Sequence, residues 1–291
     1  MRIFEPHAHM FSRVTDDYER MAMAGIAAVL EPAFWLGQPR THVGTFLDYF
    51  DTLLGWEPYR AAQFGIRHYC ALSLNPKEAN DDRVNRGVLD ALPRYLVKDG
   101  VLAVGEIGYD DMTPKEEIFF AEQLELARAA GLPALIHTPH RDKKRGVERT
   151  LALLRESRFP LERALVDHNN EETVALCIDT GCHMAFSIYP NTKMDEERMV
   201  EILRRYGTDR MIVNSACDWG KSDPLKIPRT ALLMRQRGFP DDEIDKVVWR
   251  NPVAFFAQSG RLDLGDLESG GAAEAPREPF LGNVIQRGQP R

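Results

Sequence analysis

The sequence predicts a (β/α)8 barrel, and three observations lead to this fold class. Eight short apolar runs occur along the chain, separated by stretches of helical periodicity. This alternation fills about 260 residues, close to the usual size of such a barrel. No Gly-rich phosphate-binding turn follows the first run, as would be typical of the alternative, a doubly wound open sheet. The predicted strands span residues 2–9, 24–32, 67–76, 101–110, 132–140, 163–170, 183–190 and 210–219.

The helices are predicted from apolar spacing and from the glycines that end them. Phe120, Leu124 and Ala127 recur at helical spacing between the fourth and fifth strands. This helix is predicted to span Lys115–Ala130, with Gly131 as its cap, because a helix end favours a left-handed residue. Two shorter stretches end at glycine in the same way: Glu172–Thr180 before Gly181, and Glu197–Tyr206 before Gly207.

Three segments exceed what a minimal barrel needs. Residues 33–65 follow the second strand, so we expect this insertion to cover the mouth of the barrel. Residues 220–261 form a long final helical region. The chain from Gly265 is rich in glycine, proline and charge and has little to bury, which predicts a flexible tail. The predicted organisation is therefore a barrel domain over residues 1–264 and a tail over residues 265–291.

Composition narrows the class of protein. A formal net charge of −7 argues against a broadly basic nucleic-acid surface. No apolar run reaches the ~18 residues of a membrane span, and the N-terminus lacks the regions of a signal peptide. The four cysteines form no paired framework, which indicates reduced thiols. We therefore expect a cytoplasmic protein with no membrane segment.

The first strand ends in a pair of histidines, in the stretch FEPHAHM. Side chains alternate along a strand, so Glu5, His7 and His9 share one face and Phe4 lies on the other. Both histidines are then predicted to project into the barrel at the C-terminal end of the strand. That end carries the active site in barrel enzymes.

Further metal-ligand residue types stand near the ends of later strands. His68 and His183, by contrast, open their strands, where residues serve stability, and are predicted to be structural. The residues at strand ends are Glu106 on the fourth strand, His137 on the fifth, His168 on the sixth and Asp218 on the eighth.

The chemistry of this set indicates a metal centre. Imidazole nitrogens and carboxylate oxygens together suit Zn²⁺, Mn²⁺ or Fe²⁺. Glu106 could bridge two ions at the ~3.5–4 Å spacing of two-metal sites, and Asp218 could take the proton of a water molecule that the metal activates. Hydrogen-bonded core histidines and helix-capping carboxylates would explain one or two of these residues, but not the whole set. We therefore predict one or two divalent ions, with Zn²⁺ preferred, on His7, His9, Glu106, His137, His168 and Asp218.

These residues carry a family resemblance. EPHAHM, VGEIGYDDMTPKEE, LPALIHTPHRD and GCHMAFSIYP resemble the amidohydrolase superfamily, and within it the TatD-like metal-dependent hydrolases, over about residues 2–260. The resemblance implies the same ligand roles, with Asp218 as both ligand and proton acceptor. The chain departs from the TatD-like pattern at Glu5 in place of Asp, Tyr109 in place of Leu, and Asn169-Asn170 in place of Cys-Phe.

The eighth strand departs furthest from the TatD-like pattern. In the stretch VNSACDWG, an ungapped match places the family aspartate on Ala216, and Asp218 lies two residues further along the same face. CDWG and the following RQRGFPDDEIDKVVWRNPVAFF resemble phosphotriesterase-type members of the superfamily. Those members usually carry a carboxylated lysine on the fourth strand, where this chain has Glu106.

Three functions are compatible with these observations. The first is hydrolysis of a small ester, phosphoester, lactone or amide, with Trp35, His140 and Arg141 as candidate substrate contacts. The second is the metal-dependent DNase activity of some TatD relatives; the basic cluster at residues 141–145 favours it, although a solvated helix start also explains that cluster. The third is a non-catalytic partner protein that keeps a metal. The complete ligand set disfavours the third, the acidic charge disfavours DNA, and a homo-oligomer stays open.

Overall fold

The computed structural model describes residues 1–35, 37–190, 192–262, 265 and 267. Eight parallel strands form one sheet in chain order, and each strand pairs with the next. This confirms the predicted (β/α)8 barrel. The strands are β1 (Ile3–Glu5), β2 (Ile26–Pro32), β3 (Arg67–Leu72), β4 (Val101–Gly108), β5 (Ala134–His137), β6 (Ala164–Val166), β7 (His183–Ser187) and β8 (Met211–Asn214).

Helices alternate with the strands and form the outer layer. Two π-helical turns, Thr52–Trp56 and Lys246–Arg250, each continue an α-helix. The α-helices are α1 (Thr15–Met23), α2 (Val43–Asp51), α3 (Glu57–Ala62), α4 (Pro76–Ala79), α5 (Asn85–Leu96), α6 (Pro114–Ala130), α7 (Lys143–Glu156), α8 (Val174–Cys177), α9 (Glu196–Tyr206), α10 (Lys226–Gln236), α11 (Asp241–Asp245) and α12 (Asn251–Ala257). None of the described helices is long and apolar enough to cross a membrane.

The barrel is joined between its first and last strands by the segments that follow them. The His9 amide donates to the Cys217 carbonyl at 2.7 Å, and the Ala216 amide donates to the His7 carbonyl at 2.9 Å. The buried Glu5 carboxylate accepts from the Ser215 amide at 3.2 Å. We call these contacts the seam. They place the residues after β1 beside those after β8, at the C-terminal end of the barrel.

The helix ends follow the predicted signals in α6 and α9. Thr113 and Glu116 form a capping box at the start of α6, and Gly131 ends it in the left-handed conformation. The predicted helix at residues 172–180 is wrong in length, because α8 is a single turn. Thr173 at its start provides no side-chain cap.

Among the described residues of the insertion at residues 33–65, Phe34 and Trp35 line the mouth of the barrel. Phe34 stacks on the His9 ring, with centroids 3.7 Å apart. The helices of the insertion instead pack in the outer layer, where α3 contacts β3 and α2 contacts α5. The reason is their apolar face, since Phe46, Phe50 and Leu53 are fully buried. The predicted lid is therefore an outer-layer element with a short extension into the mouth.

The predicted tail at residues 265–291 lies outside the described residues except at Gly265 and Leu267. Leu267 is buried, and its carbonyl accepts from the Arg2 guanidinium. The side chain of Leu267 therefore packs against the barrel. The predicted boundary after residue 264 stays a prediction.

Deleting residues 265–291 is expected to leave the barrel folded and to cost only the burial of Leu267. That burial contributes ~1.5–3 kcal/mol. Leu267→Ala in the full chain should therefore reproduce most of the loss in unfolding free energy, measured by chemical denaturation. Leu232→Ala, at a leucine that is 53% exposed, is the matched control and should cost little. A deletion far more costly than Leu267→Ala would show that more of the tail docks on the barrel.

Candidate metal centre

Five of the predicted ligands meet at the C-terminal end of the barrel. His7 and His9 follow β1, Glu106 lies in β4, His137 ends β5 and His168 follows β6. All five side chains are buried. The parallel strands explain this convergence, because their C-terminal ends all lie at one rim of the barrel.

Glu106 is the centre of the cluster. Its Oε1 atom lies 3.1 Å from His137 Nδ1, 3.3 Å from His168 Nε2 and 3.6 Å from His7 Nε2. Its Oε2 atom lies 4.0 Å from His9 Nε2. The Nε2 atoms of His7 and His9 are 3.0 Å apart. One carboxylate is thus within 4.0 Å of a nitrogen of each of four imidazoles.

The donor atoms fit a divalent ion. Two further ring nitrogens, His9 Nδ1 and His137 Nε2, are buried without a hydrogen-bond partner among the described residues, whereas the nitrogens of these rings nearest Glu106 are His9 Nε2 and His137 Nδ1. The 3.0 Å between the His7 and His9 nitrogens approaches the separation expected when each lies ~2.0–2.1 Å from one Zn²⁺. His7, Glu106 and His168 form a candidate ligand group whose atoms all lie within 4.8 Å of one another.

The electrostatics favour neutral rings at His9 and His168 beside an ionised Glu106. Burial lowers the pKa values of His9 and His168 well below the ordinary range, so each ring can offer a lone pair. At His7, by contrast, the carboxylates of Glu106 and Asp167 outweigh the effect of burial and raise the pKa. Burial alone would raise the pKa of Glu106, but His7, His137 and His168 outweigh it and hold that pKa well below the usual value. A buried carboxylate that stays ionised is a suitable metal ligand.

Asp167 orients His7. Its Oδ2 atom lies 2.6 Å from His7 Nδ1, and Asn214 Nδ2 donates to both carboxylate oxygens at 3.0 and 3.2 Å. A proton on His7 Nδ1 bonds Asp167 and leaves the Nε2 lone pair directed at Glu106. Burial would raise the pKa of Asp167, but the adjacent His168 and His7 lower it overall.

Asp167 is absent from the ligand set predicted from the sequence. Strand alternation places neighbours such as Asp167 and His168 on opposite faces. His168, however, has a positive φ of 59°, and β6 has already ended at Val166. The backbone therefore turns both side chains towards the site. An aspartate directly before a predicted ligand was the one signal in the sequence.

Asp218 lines a cavity that lies above the Glu106 cluster, but it stands outside that cluster. Its Oδ1 atom accepts from the Tyr189 hydroxyl at 2.8 Å and from the Gly220 amide at 2.7 Å. Within the described chain, no histidine nitrogen lies within 4.0 Å of its carboxylate oxygens. Ala216, the alternative position, also lines the cavity, but it is left-handed with φ 43° and offers no ligand atom. Among the described residues that line the cavity, Asp218 is the one carboxylate besides Glu106.

The cavity above the cluster has a volume of about 490 Å³. Of the predicted substrate contacts, Trp35 and His140 line it. Arg141 is exposed and does not line it, so the structure does not support that prediction. Sequence analysis also missed Lys193, whose Nζ atom lies 3.3 Å from His168 Nδ1. Lys193 stands in the loop after β7, outside any recognised motif.

A second buried cluster behind β2 and β3 serves a different purpose. Glu31 Oε2 lies 3.0 Å from His68 Nε2, and Glu57 accepts from Arg60 at 2.7 Å and from the Tyr18 hydroxyl at 2.9 Å. Burial raises the pKa of Glu31 to about 8. Glu31, Glu57 and His68 also lie close enough together to form a candidate ligand group, but here the Arg60 guanidinium already supplies a positive charge to Glu57. This agrees with a structural role for His68.

Comparison with known proteins places this site in a family. A sequence profile of TatD-related DNases matches residues 7–257, which include every predicted ligand. The chain belongs to the TatD-related DNase family. An uncharacterised metal-dependent hydrolase of Methanocaldococcus jannaschii is 29% identical over 257 residues, covering 87% of this chain and 99% of that protein.

Solved structures agree on the fold. A TatD-like protein of Archaeoglobus fulgidus matches with a TM-score of 0.72 at 23% identity, over 87% of this chain and 99% of that one. A variant of a phosphotriesterase-like lactonase from Deinococcus radiodurans matches with a TM-score of 0.64 at 16% identity, over 87% and 95% of the two chains. The predicted resemblance to TatD-like metal-dependent hydrolases is confirmed, and the chain is an enzyme.

Asp167→Asn is expected to weaken metal binding by about 10–100-fold, because a neutral amide no longer fixes the His7 ring and its tautomer. Competition with a chromophoric chelator measures the affinity. Asp99→Asn, at an exposed aspartate that precedes β4, is the matched control. An Asp167→Asn protein that keeps the wild-type affinity would show that Asp167 does not orient the ligand.

Proposed function

We propose that the chain hydrolyses a small ester, lactone, phosphoester or amide with one or two divalent ions held at the Glu106 cluster. The observation that carries this proposal is the convergence of four buried histidines on one ionised carboxylate beneath a cavity of about 490 Å³. A cavity of this size accommodates a small molecule. The family gives the reaction class, a metal-dependent hydrolysis.

His7, His9, His137 and His168 would hold the ion or ions together with Glu106, whose carboxylate lies within 4.0 Å of a nitrogen of each ring. When bound, a divalent ion polarises the substrate oxygen and lowers the pKa of a water molecule. Zn²⁺ suits a site with this many imidazoles, and Mn²⁺ and Fe²⁺ are the alternatives.

Asp218 is the residue proposed to accept the proton. Tyr189 and Gly220 both donate to its Oδ1 atom, and Oδ2 has no hydrogen-bond partner in the described chain. These two donors fix the carboxylate on the wall of the cavity that Glu106 also lines, where Asp218 would take a proton from a water molecule between the two carboxylates. General-base catalysis of this kind contributes about 10²–10⁴-fold to turnover.

The cavity walls favour a small substrate over a DNA duplex. Phe34 and Trp35 line one side, and the Trp219 ring stacks on Phe34 with centroids 5.1 Å apart. This aromatic wall suits the apolar part of a small molecule. DNA is the second candidate, because the family profile is that of TatD-related DNases. Against it, Arg141 lies outside the cavity and the net charge is −7.

Purified protein is expected to carry one to two transition-metal ions per chain, and His7→Ala combined with His9→Ala should remove at least one. Elemental analysis of protein prepared without chelator measures both. His42→Ala, at an exposed histidine outside the site, is the control and should leave the metal content unchanged. The proposal fails if the wild type holds no metal and binds neither added Zn²⁺ nor Mn²⁺.

Asp218→Asn is expected to lower turnover by about 10²–10⁴-fold while most metal is retained, because the amide cannot accept a proton. Glu106→Gln should differ, since a neutral bridge holds cations poorly and the metal content itself should fall. Turnover is measured on 4-nitrophenyl acetate, γ-butyrolactone, bis(4-nitrophenyl) phosphate and DNA, which also separates the two candidate functions. Near-normal activity of Asp218→Asn would remove Asp218 from the mechanism.

A further inference from the structure

A second cavity adjoins the one above the metal cluster. Its volume is about 800 Å³, and it shares His140, His168, Thr192 and Lys193 with the first cavity. The start of α7 and the loops after β6 and β7 form its other walls. The two cavities therefore adjoin along these shared residues, one of which is the predicted ligand His168.

Two lysine side chains in this second cavity lack a counter-charge. Lys143 Nζ donates to Thr138 Oγ1 at 3.1 Å, and Lys193 Nζ lies beside the His168 ring. In the described part of the chain, neither ammonium lies within 4.0 Å of a carboxylate oxygen, whereas Lys226 pairs with Glu196 at 2.8 Å. Both lysines are partly buried, and a desolvated charge without a partner is costly. A bound anion would supply the missing partner.

The other charges of the cavity lie further out. Asp142, Lys144, Arg145, Glu148 and Glu172 are all exposed to solvent, and their charges of opposite sign nearly balance. The 14-residue helix α7 adds to the inner positive potential, because no side chain caps its first amides. The inner part of the cavity is thus cationic and the rim is mixed.

We propose that this second cavity is a subsite for an oxyanion, a carboxylate or phosphate group that the substrate carries away from the bond to be cleaved. The subsite rests on the proposed hydrolase function and specifies its substrate class. Of these two cavities, Phe34 and Trp35 line the first but not the second, and Lys143 lines the second but not the first. A substrate would therefore place its reacting bond over the cluster, near the aromatic wall, and its anionic end between Lys143 and Lys193.

Three matched esters test the subsite: 4-nitrophenyl acetate, mono-4-nitrophenyl succinate and 4-nitrophenyl phosphonoacetate. The wild type should prefer one or both anionic esters in kcat/KM, and the preferred ester identifies the group as carboxylate-like or phosphate-like. Lys143→Met should lower the ratio of anionic to neutral kcat/KM by about 10–100-fold, mainly through KM. Lys143→Arg should retain part of the preference. Lys98→Met, at an exposed lysine that precedes β4, is the control and should leave the ratio unchanged.

A binding measurement separates failure of the subsite from failure of the hydrolase proposal. Calorimetry of succinate and inorganic phosphate, on metal-loaded and metal-free protein, should show binding that Lys143→Met weakens in both forms. Turnover of the neutral ester without any charge preference would overturn the subsite and leave the hydrolase standing. If no ester is turned over, the hydrolase proposal fails, and binding alone then decides: Lys143-dependent binding supports the subsite and its absence overturns it.

Lys193→Met provides a second variant should Lys143→Met fold poorly, which thermal denaturation checks. Because Lys193 contacts the His168 ring, its metal content is measured alongside. A fall in the anionic-to-neutral ratio at wild-type metal content supports the subsite. An unchanged ratio in both lysine variants overturns it.

Discussion

The contacts between one buried carboxylate, Glu106, and the imidazoles around it are the feature on which the candidate metal centre depends. Glu106 reaches this position because β4 approaches β5 unusually closely. A Cβ atom on Gly108 would lie 2.3 Å from the His137 carbonyl oxygen, and one on Gly105 would lie 2.7 Å from Leu135 Cβ. Only glycine fits at both positions. The two glycines of the Gly-Glu-Ile-Gly stretch therefore allow the close packing of β4 and β5 that brings Glu106 beside His137.

A similar argument explains the Cys-Asp-Trp-Gly stretch after β8. A Cβ atom on Gly220 would lie 2.1 Å from the Tyr189 hydroxyl oxygen and 3.0 Å from Asp218 Oδ1. Glycine at this position lets the tyrosine reach the aspartate. Arg13 adds a further support, because its guanidinium donates to the Asp218 carbonyl at 2.9 Å. The phosphotriesterase-like stretch after β8 thus forms local contacts that fix the Asp218 carboxylate.

The eight apolar runs were enough to predict all eight strands. The convergence of five predicted ligand side chains followed from their positions near the strand ends, because parallel barrel strands end at one rim. The rule of strand alternation fails where the backbone leaves the strand conformation. The positive φ of His168 turns Asp167 into the site, and the positive φ of Ala216 removes the register on which the position of Asp218 was argued. The position of Lys193 and the packing of residues 33–65 depend on tertiary contacts between distant segments, and no local pattern in the sequence encodes these.

The seam links the proposed metal centre to the closure of the barrel. The backbone that joins the first strand to the last is the same backbone that carries His7 and His9, and Glu5 links it to Ser215. An ion bound by both histidines together with Glu106, His137 and His168 would link this joint to the part of the barrel formed by β4 to β6. Any ligand that binds only the closed form stabilises it by mass action. The concentration of available metal would then determine how often the barrel opens at the seam. It would thereby affect how long each molecule survives proteolysis, independently of its rate of turnover.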